Sequence, residues 1–546
     1  MTNKIELFKS KNHFFLAALV SGILVGTSYI PFPAWAILFC YIPLWLAVVA
    51  AEKQNLSFKF IFALGWVTQF ILTLIGFHWL YYTATEFGQL HPVIAGLALF
   101  LYASFMHVYI PFALVFAVWL KRRQNLSQTK FIFLLGITLA LFERAWPSIF
   151  EWNLGYTLLW MKWPVFQWAD TVGFWGLSSI ILLIQSLIMF FIFQFKQQSK
   201  KTVFGILILT TALFVFHFAG KIKESTWSKT NDQFKVTVTQ GNISNEEKLS
   251  AEKGAAFQPY VFKVYADLVS QHLTSQASQP DAILWPETAM PFALDKTFSM
   301  YSNQLALQNQ INQWNMVLLT GGYSQDLKKR DHLGNFKTQN SIFFMGPTNS
   351  LSNQQPDPYF KSDLLVFGEY MPLGETFPFL YKLLPFVGVY EKGPGPVLKT
   401  ILTPENKKFN LGPQICYESL NTSFSRGLAL AGADIIFNAT NDSWYGAGTE
   451  PYQHMMMTLG RAVEVRRPLV RATNTGFSTA ILANGFQLAQ SPMDKPWVHT
   501  FEIHYQKNAK NSFYTKYGHF DYLIWIFILL LILIPKGTHH VRHQKP

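Results

Sequence analysis

Residues 13 to 220 are almost continuous hydrophobic runs broken by short polar links. Residues 221 to about 520 have ordinary mixed composition, residues 521 to 535 are apolar again, and a basic tail follows. A membrane-crossing helix needs about 20 predominantly apolar residues. On that measure the expected spans are 13–30, 33–50, 60–80, 92–120, 131–147, 171–195 and 202–220, with an eighth at 519–535. Span 92–120 is long enough to tilt or to run along the interface. No small-residue cleavage site follows the first span, which therefore reads as an anchor rather than a removed signal peptide. The pattern predicts a membrane domain over 1–220, a water-facing domain over 221–518, and a closing span with a basic tail over 519–546.

Within the water-facing part, short β-branched and aromatic runs alternate with helical stretches. Expected strands are Phe234–Thr239, Ala282–Trp285, Met316–Thr320, Ser341–Met345, Phe409–Ile415, Ile435–Asn438 and Val470–Thr473. Expected helices run over about 255–273, 300–314, 420–431 and 451–466. Such alternation predicts a layered α/β domain.

The chain has 44 Lys and Arg against 31 Asp and Glu, a formal charge of +13. This excess sits largely at the ends of apolar segments, and no basic repeat is interleaved with aromatics, so nucleic acid is not an expected partner. Lys4, Lys9 and Lys11 precede the first span, and Lys53 and Lys59 follow the second. Lys121, Arg122, Arg123 and Lys130 follow the fourth; Lys196, Lys200 and Lys201 follow the sixth; Lys536, Arg542 and Lys545 follow the last. Links 31–32 and 81–91 have no Lys or Arg. With seven spans plus one, every basic cluster falls on one side, which the positive-inside rule makes the cytoplasm. Both termini are then cytoplasmic and the 221–518 domain is extracytoplasmic. Trp146, Trp152, Trp160, Trp163 and Trp168 in the link after the fifth span read as an interfacial belt, or as the wall of a substrate cleft. Glu143 and Arg144 read as a pair at headgroup level.

Three residues at strand ends carry acid, base and nucleophile chemistry. Glu287 follows an apolar strand that Pro286 ends, and a partly desolvated carboxylate suits a general base. Lys361, in Tyr-Phe-Lys-Ser, can stabilise an oxyanion or ease a thiol's ionisation. Cys416 lies in Gly-Pro-Gln-Ile-Cys-Tyr-Glu, Gly412 to Glu418, and a thiolate suits two-step acyl transfer. The only other cysteine, Cys40, is in an apolar segment near the N-terminus, so Cys416 has no disulfide partner in its own domain. Read singly, each residue also has a structural alternative: a capping acid, a solvated lysine, a buried inert thiol. His454 and the following Met455-Met456-Met457 read as core packing on a helix. No metal motif appears, and no cofactor is expected.

The order Glu287, Lys361, Cys416 resembles the nitrilase (carbon–nitrogen hydrolase) superfamily and, within it, the membrane-embedded apolipoprotein N-acyltransferases. The resemblance rests on Thr239-Gln240-Gly241-Asn242-Ile243, Trp285-Pro286-Glu287-Thr288 and Phe367-Gly368-Glu369-Tyr370-Met371-Pro372. It continues through Ile415-Cys416-Tyr417-Glu418, Asn441-Asp442-Ser443-Trp444-Tyr445-Gly446, and Arg461-Ala462-Val463-Glu464 to Arg471-Ala472-Thr473-Asn474-Thr475-Gly476. It covers nearly the whole chain. It implies an α-β-β-α sandwich joined to about eight spans, with Glu287 as base, Lys361 as stabiliser of the intermediate and Cys416 as nucleophile. Glu369 matches the second glutamate beside the triad, and Tyr417 and Glu418 match the residues after the nucleophile. Asp363, Leu365 and Val366 depart from the family's Lys-x-His-Leu-Val-Pro-Phe-Gly-Glu, and Leu249 stands where the family has a tryptophan.

The implied activity is transfer of a fatty acyl group from a phospholipid, through a Cys416 thioester, to the α-amine of a diacylglyceryl-cysteine lipoprotein. The enzyme is expected to work as a monomer in a bacterial inner membrane. A membrane-tethered amidase would use the same three residues with water as acceptor. A silent scaffold fits poorly with the intact residue set, and a transporter with the few charges and missing repeat in the spans. The greasy link 371–396 is expected to be either a lid that dips into the membrane interface or an ordinary packed loop.

Overall fold

In the computed structural model the described residues are 8–534, except 149, 196–197, 254–256, 277, 295–300, 332–333, 349–354 and 385–386. Lys4, Lys196, Lys536, Arg542, Lys545 and Phe386 lie outside them.

The N-terminal part is helical. Its main helices are Lys11–Gly26, Ile42–Lys53, Phe58–Gly76, Pro92–Phe105, Tyr109–Arg123, Gln128–Ala145, Ala169–Gln194 and Ser199–Thr226. By length and composition, Phe58–Gly76, Pro92–Arg123, Pro164–Gln194 and Ser199–Thr226 could each cross a membrane, and Lys11–Gly26 and Phe520–Leu533 are shorter apolar helices. Two expected spans divide differently from the hydropathy pattern. The 33–50 run becomes helical only at Ile42, after turns over 30–41 that contain Pro31 and Pro33. The 92–120 run breaks at 106–108. Pro111 explains this break: inside one continuous helix its ring would meet the carbonyl four residues back, whereas in the first turn of Tyr109–Arg123 it is tolerated.

Polar ties gather the basic links at one end of the bundle. Gln54 donates to the Phe8 carbonyl (3.3 Å) and Arg122 to the Leu56 carbonyl (2.8 Å). Lys130 donates to the carbonyls of Ile532 (2.7 Å) and Ile534 (2.8 Å), closing the end of helix Phe520–Leu533. The opposite end meets the α/β domain. There Gln453 donates to the carbonyls of Ile30 (2.9 Å) and Gly76 (3.1 Å), and Arg466 pairs with Asp170 at 2.8 Å. Helix Phe58–Gly76 runs between the two ends, a rise of about 28 Å at 1.5 Å per residue.

Glu143 and Arg144 do not pair with each other. Successive helix positions point about 100° apart. Glu143 accepts from Ser178 (2.8 Å), while Arg144 reaches Asp521 of the last helix at 3.3 Å. The tryptophans of the following link stitch segments together. Trp152 is buried against Tyr29. Trp160, Trp163 and Trp168 donate to Phe32 O, His217 Nδ1 and Phe216 O at 3.1, 3.1 and 3.2 Å.

The α/β domain holds two six-stranded sheets. Strands β1 (Asp232–Gln240), β2 (Ala282–Leu284), β3 (Val317–Arg330), β4 (Phe336–Met345), β5 (Tyr359–Phe360) and β12 (Trp497–Tyr505) form one, in the order β12-β1-β2-β3-β4-β5. Strands β6 (Lys399–Leu402), β7 (Lys408–Ile415), β8 (Ile435–Thr440), β9 (Leu469–Thr473), β10 (Thr479–Ile481) and β11 (Gln487–Gln490) form the other, in sequence order. The sheets face each other through Phe234–Phe409 and Phe344–Phe437. Helices Gln258–Thr274 and Tyr301–Trp314 cover the first sheet, burying Tyr265, Val269, Leu307 and Ile311 against Ile283 and Leu318. Helix Glu450–Val465 covers the second, and it also packs against Tyr156–Trp160 and Ala169–Gln194 of the N-terminal region. Every residue of it but Tyr452 is buried, Met455, Met456 and Met457 included. The result is the expected α-β-β-α sandwich. Strands β1, β2 and β3 run parallel, as do β7, β8 and β9, so their carboxyl ends gather at one edge.

Candidate functional site

That edge holds the chemistry, as crevices at carboxyl strand ends do in α/β sheets. The two sheets are stapled there by Asn474. Its Oδ1 accepts from Ile243 N (3.0 Å) and Tyr265 Oη (3.1 Å), and its Nδ2 donates to Ile243 O (2.8 Å) and Asn441 Oδ1 (3.1 Å).

Glu287 stands just past β2. Trp285 N donates to Leu319 O (2.8 Å), which guides the chain out of the sheet. Gly321 of β3 lies against this turn: a Cβ there would sit 2.5 Å from both Pro286 O and Thr288 N. Lys361 follows β5. The antiparallel register Ser341↔Phe360 brings it opposite Asn340, and Lys361 N donates to Asn340 O at 2.8 Å. Two donors then bridge two carboxylates. Lys361 Nζ lies 3.2 Å from Glu287 Oε1 and 2.8 Å from Glu369 Oε1. Asn340 Nδ2 donates to the same two oxygens at 2.7 and 3.1 Å. Glu369 is fixed further by Leu365 N on its Oε2 (2.8 Å). Lys361 is 1% exposed. Burial opposes its charge, but Glu287, Glu369 and Cys416 outweigh burial and hold the ammonium well above the ordinary lysine value.

Cys416 begins the turn after β7, with φ +49°, a left-handed conformation that a non-glycine residue adopts at some cost. Its carbonyl is pinned by Ser419 Oγ (2.9 Å) and Asn438 Nδ2 (3.2 Å), with His454 Nε2 at 3.4 Å. Burial pushes the Cys416 thiol well above its usual range, Glu287 adds to this, and Lys361 opposes it. The thiol is therefore protonated at rest. The sequence-level expectation that Lys361 would ease ionisation holds in direction, but burial and the carboxylates win. A base in contact is needed to form a thiolate here.

Glu418 is a brace. Its carboxylate accepts from Ile415 N (2.7 Å), Tyr359 Oη (2.7 Å), Ser362 N (2.5 Å) and Asp363 N (3.3 Å), tying the Lys361 strand to the cysteine strand. Burial raises its carboxyl to about 7. Asp363, a departure from the family pattern, accepts from Asn421 Nδ2 at 2.7 Å. Tyr417 is half-buried, and among the described residues its hydroxyl has no hydrogen-bond partner. Leu249 is 48% exposed.

Sequence reasoning missed Asn340 and gave Asp442 and Arg471 no role. Asn340 lies within the polar stretch Lys337–Ser341 that precedes the apolar run Ile342–Met345, so nothing in the sequence sets it apart. Asp442, Arg471 and His454 form a buried network beneath Cys416. Arg471 pairs with Asp442 (2.6 Å) and donates to Asn438 Oδ1 (2.8 Å), and Asp442 holds His454 Nδ1 (2.9 Å). Atoms of Asp442, Glu450 and His454 lie within 4.8 Å of one another, close enough for a metal. The spacing around His454 gave no sign of this, because Asp442 arrives from another loop. Arg471 already supplies positive charge to Asp442.

A double sheet flanked by helices, with a buried Glu–Lys–Glu cluster and a buried cysteine at one edge, has the fold of a carbon–nitrogen hydrolase. A family model described as "Carbon-nitrogen hydrolase" matches residues 238–509. A second, "Apolipoprotein N-acyltransferase N-terminal domain", matches residues 21–187. The chain is 46% identical to the "Apolipoprotein N-acyltransferase" of Bdellovibrio bacteriovorus, over 100% of this chain and 98% of that one. It is 28% identical to the protein of that name from Geobacter metallireducens and 26% identical to that from Pasteurella multocida. The first match covers 96% of both chains, and the second 98% of this chain and 97% of that one. The chain belongs to the apolipoprotein N-acyltransferase family and is an acyltransferase.

Proposed function

We propose that this protein moves a fatty acyl group from a membrane phospholipid to the N-terminal α-amine of a diacylglyceryl-cysteine lipoprotein, through a thioester on Cys416. The observation that carries the reading is the Lys361 ammonium held between Glu287 and Glu369 next to a buried, protonated Cys416. Glu287 takes the thiol proton as sulfur attacks the ester carbonyl. Lys361 stabilises the oxyanion. The intermediate collapses to a thioester, and the leaving lysophospholipid oxygen takes the proton back from Glu287. The lipoprotein amine then attacks the thioester, Glu287 receives its proton, and the cysteine sulfur leaves and is reprotonated.

Both substrates are held in the bilayer by their acyl chains, each buried CH₂ being worth about 0.8 kcal/mol. The enzyme therefore has to meet them at the membrane surface. We read the chain as seven spans, an extracytoplasmic catalytic domain and one closing span, acting as a monomer. The basic links are tied together at the end of the bundle away from the catalytic domain, which supports a cytoplasmic placing of that end. Link 371–396 is read as a lid. It has a small core of Met371, Tyr381 and Val387, and it presents Leu373, Phe377, Phe379 and Leu383 outward.

Incubation of the purified protein with labelled phospholipid tests the route. A hydroxylamine-sensitive acyl adduct, absent from Cys416→Ser, is expected. It should discharge onto a diacylglyceryl-cysteine peptide. Release of free fatty acid with no peptide product would favour the amidase reading instead.

A further inference from the structure

Lys248 is a charged side chain that the reaction above does not use. It lies on helix Asn245–Lys253 and is only 5% exposed. Its ammonium donates to Glu287 O and to Thr288 Oγ1, each at 3.3 Å. Both acceptors are neutral, and among the described residues no carboxylate forms an ion pair with it. A buried ammonium without an ionic partner is costly, so its position calls for a physical reason.

The turn it touches supplies one. Thr288, directly after Glu287, is a β-branched residue at φ +47°, a strained conformation that persists only where its surroundings enforce it. Gly321 presses its bare backbone against the same turn. Lys248 binds the carbonyl and hydroxyl that this strained turn exposes. Hydrogen bonds from a charged donor are roughly twice as strong as neutral ones.

We infer that Lys248 is a positioning residue for acyl transfer: it locks the Glu287–Thr288 turn so that the Glu287 carboxylate stays on Lys361 and within reach of the thiol. This rests on the reading of Glu287 as base. The charges acting on Lys248 are Glu287, from the strand end, and Glu252, four residues along its own helix; Lys361, paired with the Glu287 carboxylate, is the neighbouring cation. Burial lowers the Lys248 ammonium to about 8 against the pull of both glutamates. It is therefore charged below about pH 8 and neutral above, and its hold on the turn weakens as pH rises through that value. Lys361 and Cys416 are both held well above their ordinary values and set no limb there.

The test compares wild type, Lys248→Met and Lys248→Arg in acyl transfer from phospholipid vesicles to a diacylglyceryl-cysteine peptide, across pH 6–10. Lys248→Met is expected to lower kcat about 10- to 100-fold, leaving KM within about threefold. Lys248→Arg should restore most of kcat and move the alkaline fall upward by more than about one pH unit, because its guanidinium stays charged. An unchanged kcat in Lys248→Met, or an alkaline fall shared by wild type and Lys248→Arg, would overturn the assignment. If Lys248→Met does not fold, the Lys248→Arg profile decides alone. Retained activity in Cys416→Ser would instead bring down the reading of the site itself.

Discussion

Arg471 and Asp442 meet at 2.6 Å with neither side chain exposed, directly beneath the Cys416 turn. Breaking a buried pair by removing one partner leaves the other charge uncompensated, a loss of about 3–5 kcal/mol. Asp442→Asn is therefore expected to unfold at markedly lower temperature in detergent at pH 7. Burial alone would raise the Asp442 carboxyl, but Arg471 and His454 together hold it below the usual range. A depressed carboxyl stabilises the fold above its unfolded value of about 3.9 and loses that contribution as pH falls through the folded value. The gap between wild type and Asp442→Asn should therefore narrow in strong acid. A constant gap would contradict the assignment of charge.

Glu418 should show the opposite sign. Its carboxyl is raised to about 7 by burial, so ionising it opposes folding. Wild-type stability should fall as pH rises from about 4.3 to 7, with a contribution on the order of 3 kcal/mol. Glu418→Gln should flatten this slope. It should also lose activity, because the amide nitrogen that replaces one oxygen can no longer accept from Ile415 N or, at the other position, from both Ser362 N and Asp363 N. Thermal unfolding between pH 5 and 8 checks the first part, and single-turnover acylation the second.

Asn340 bridges the same two oxygens as Lys361, and it does so without charge. Asn340→Ala leaves Glu287 and Glu369 joined by the ammonium alone, free to shift. A displacement of about 1 Å at a reacting group can cost about 10²-fold, so kcat should fall by that order with KM nearly unchanged. Equal loss in kcat and stability would mean the residue serves packing only.

The outward apolar residues of link 371–396, proposed as a lid, give a membrane-specific expectation. Replacing Phe377, Phe379 and Leu383 together with Ser should reduce transfer from vesicle-borne phospholipid several-fold. Alkylation of Cys416 by a small soluble reagent should change little. Unaltered turnover on vesicles would remove the lid from the account.

A layered α/β domain was readable because its central strands are apolar runs with chemistry at their ends, and the sandwich arrangement was implied by the family resemblance. The expected strands at Phe234–Thr239, Phe409–Ile415 and Val470–Thr473 all appear within a residue or two. The peripheral strands did not announce themselves. Tyr359–Phe360 and Thr479–Ile481 are too short for a period, and Trp497–Tyr505, at a sheet edge, alternates buried Phe501, Ile503 and Tyr505 with exposed Glu502 and His504 instead of forming an unbroken apolar run. In the helical part, hydropathy found apolar length but not where helices break, as Pro111 and the 30–41 turns show. Glu287, Lys361 and Cys416 were legible as strand-end residues. Their supports were not, since Asn340, Asp442, Arg471 and Lys248 act through register and loop closure, which bring distant segments together.

Helix Glu450–Val465 has almost no outward face. One side packs on β9, β10 and the Cys416–Ser419 turn, and the other rests on Tyr156–Trp160 and Ala169–Gln194. Within it Arg461 donates to the Tyr156 hydroxyl, and next to it Arg466 takes Asp170 as its counter-ion. A chain cut near residue 228 to free the catalytic half would strip Phe174 and Tyr156 from Gly460, take the Tyr156 hydroxyl from Arg461 and leave Arg466 without its Asp170 counter-ion. Catalyst and anchor are in this sense one folding unit, and a soluble version would have to be redesigned along this helix before it could be expressed.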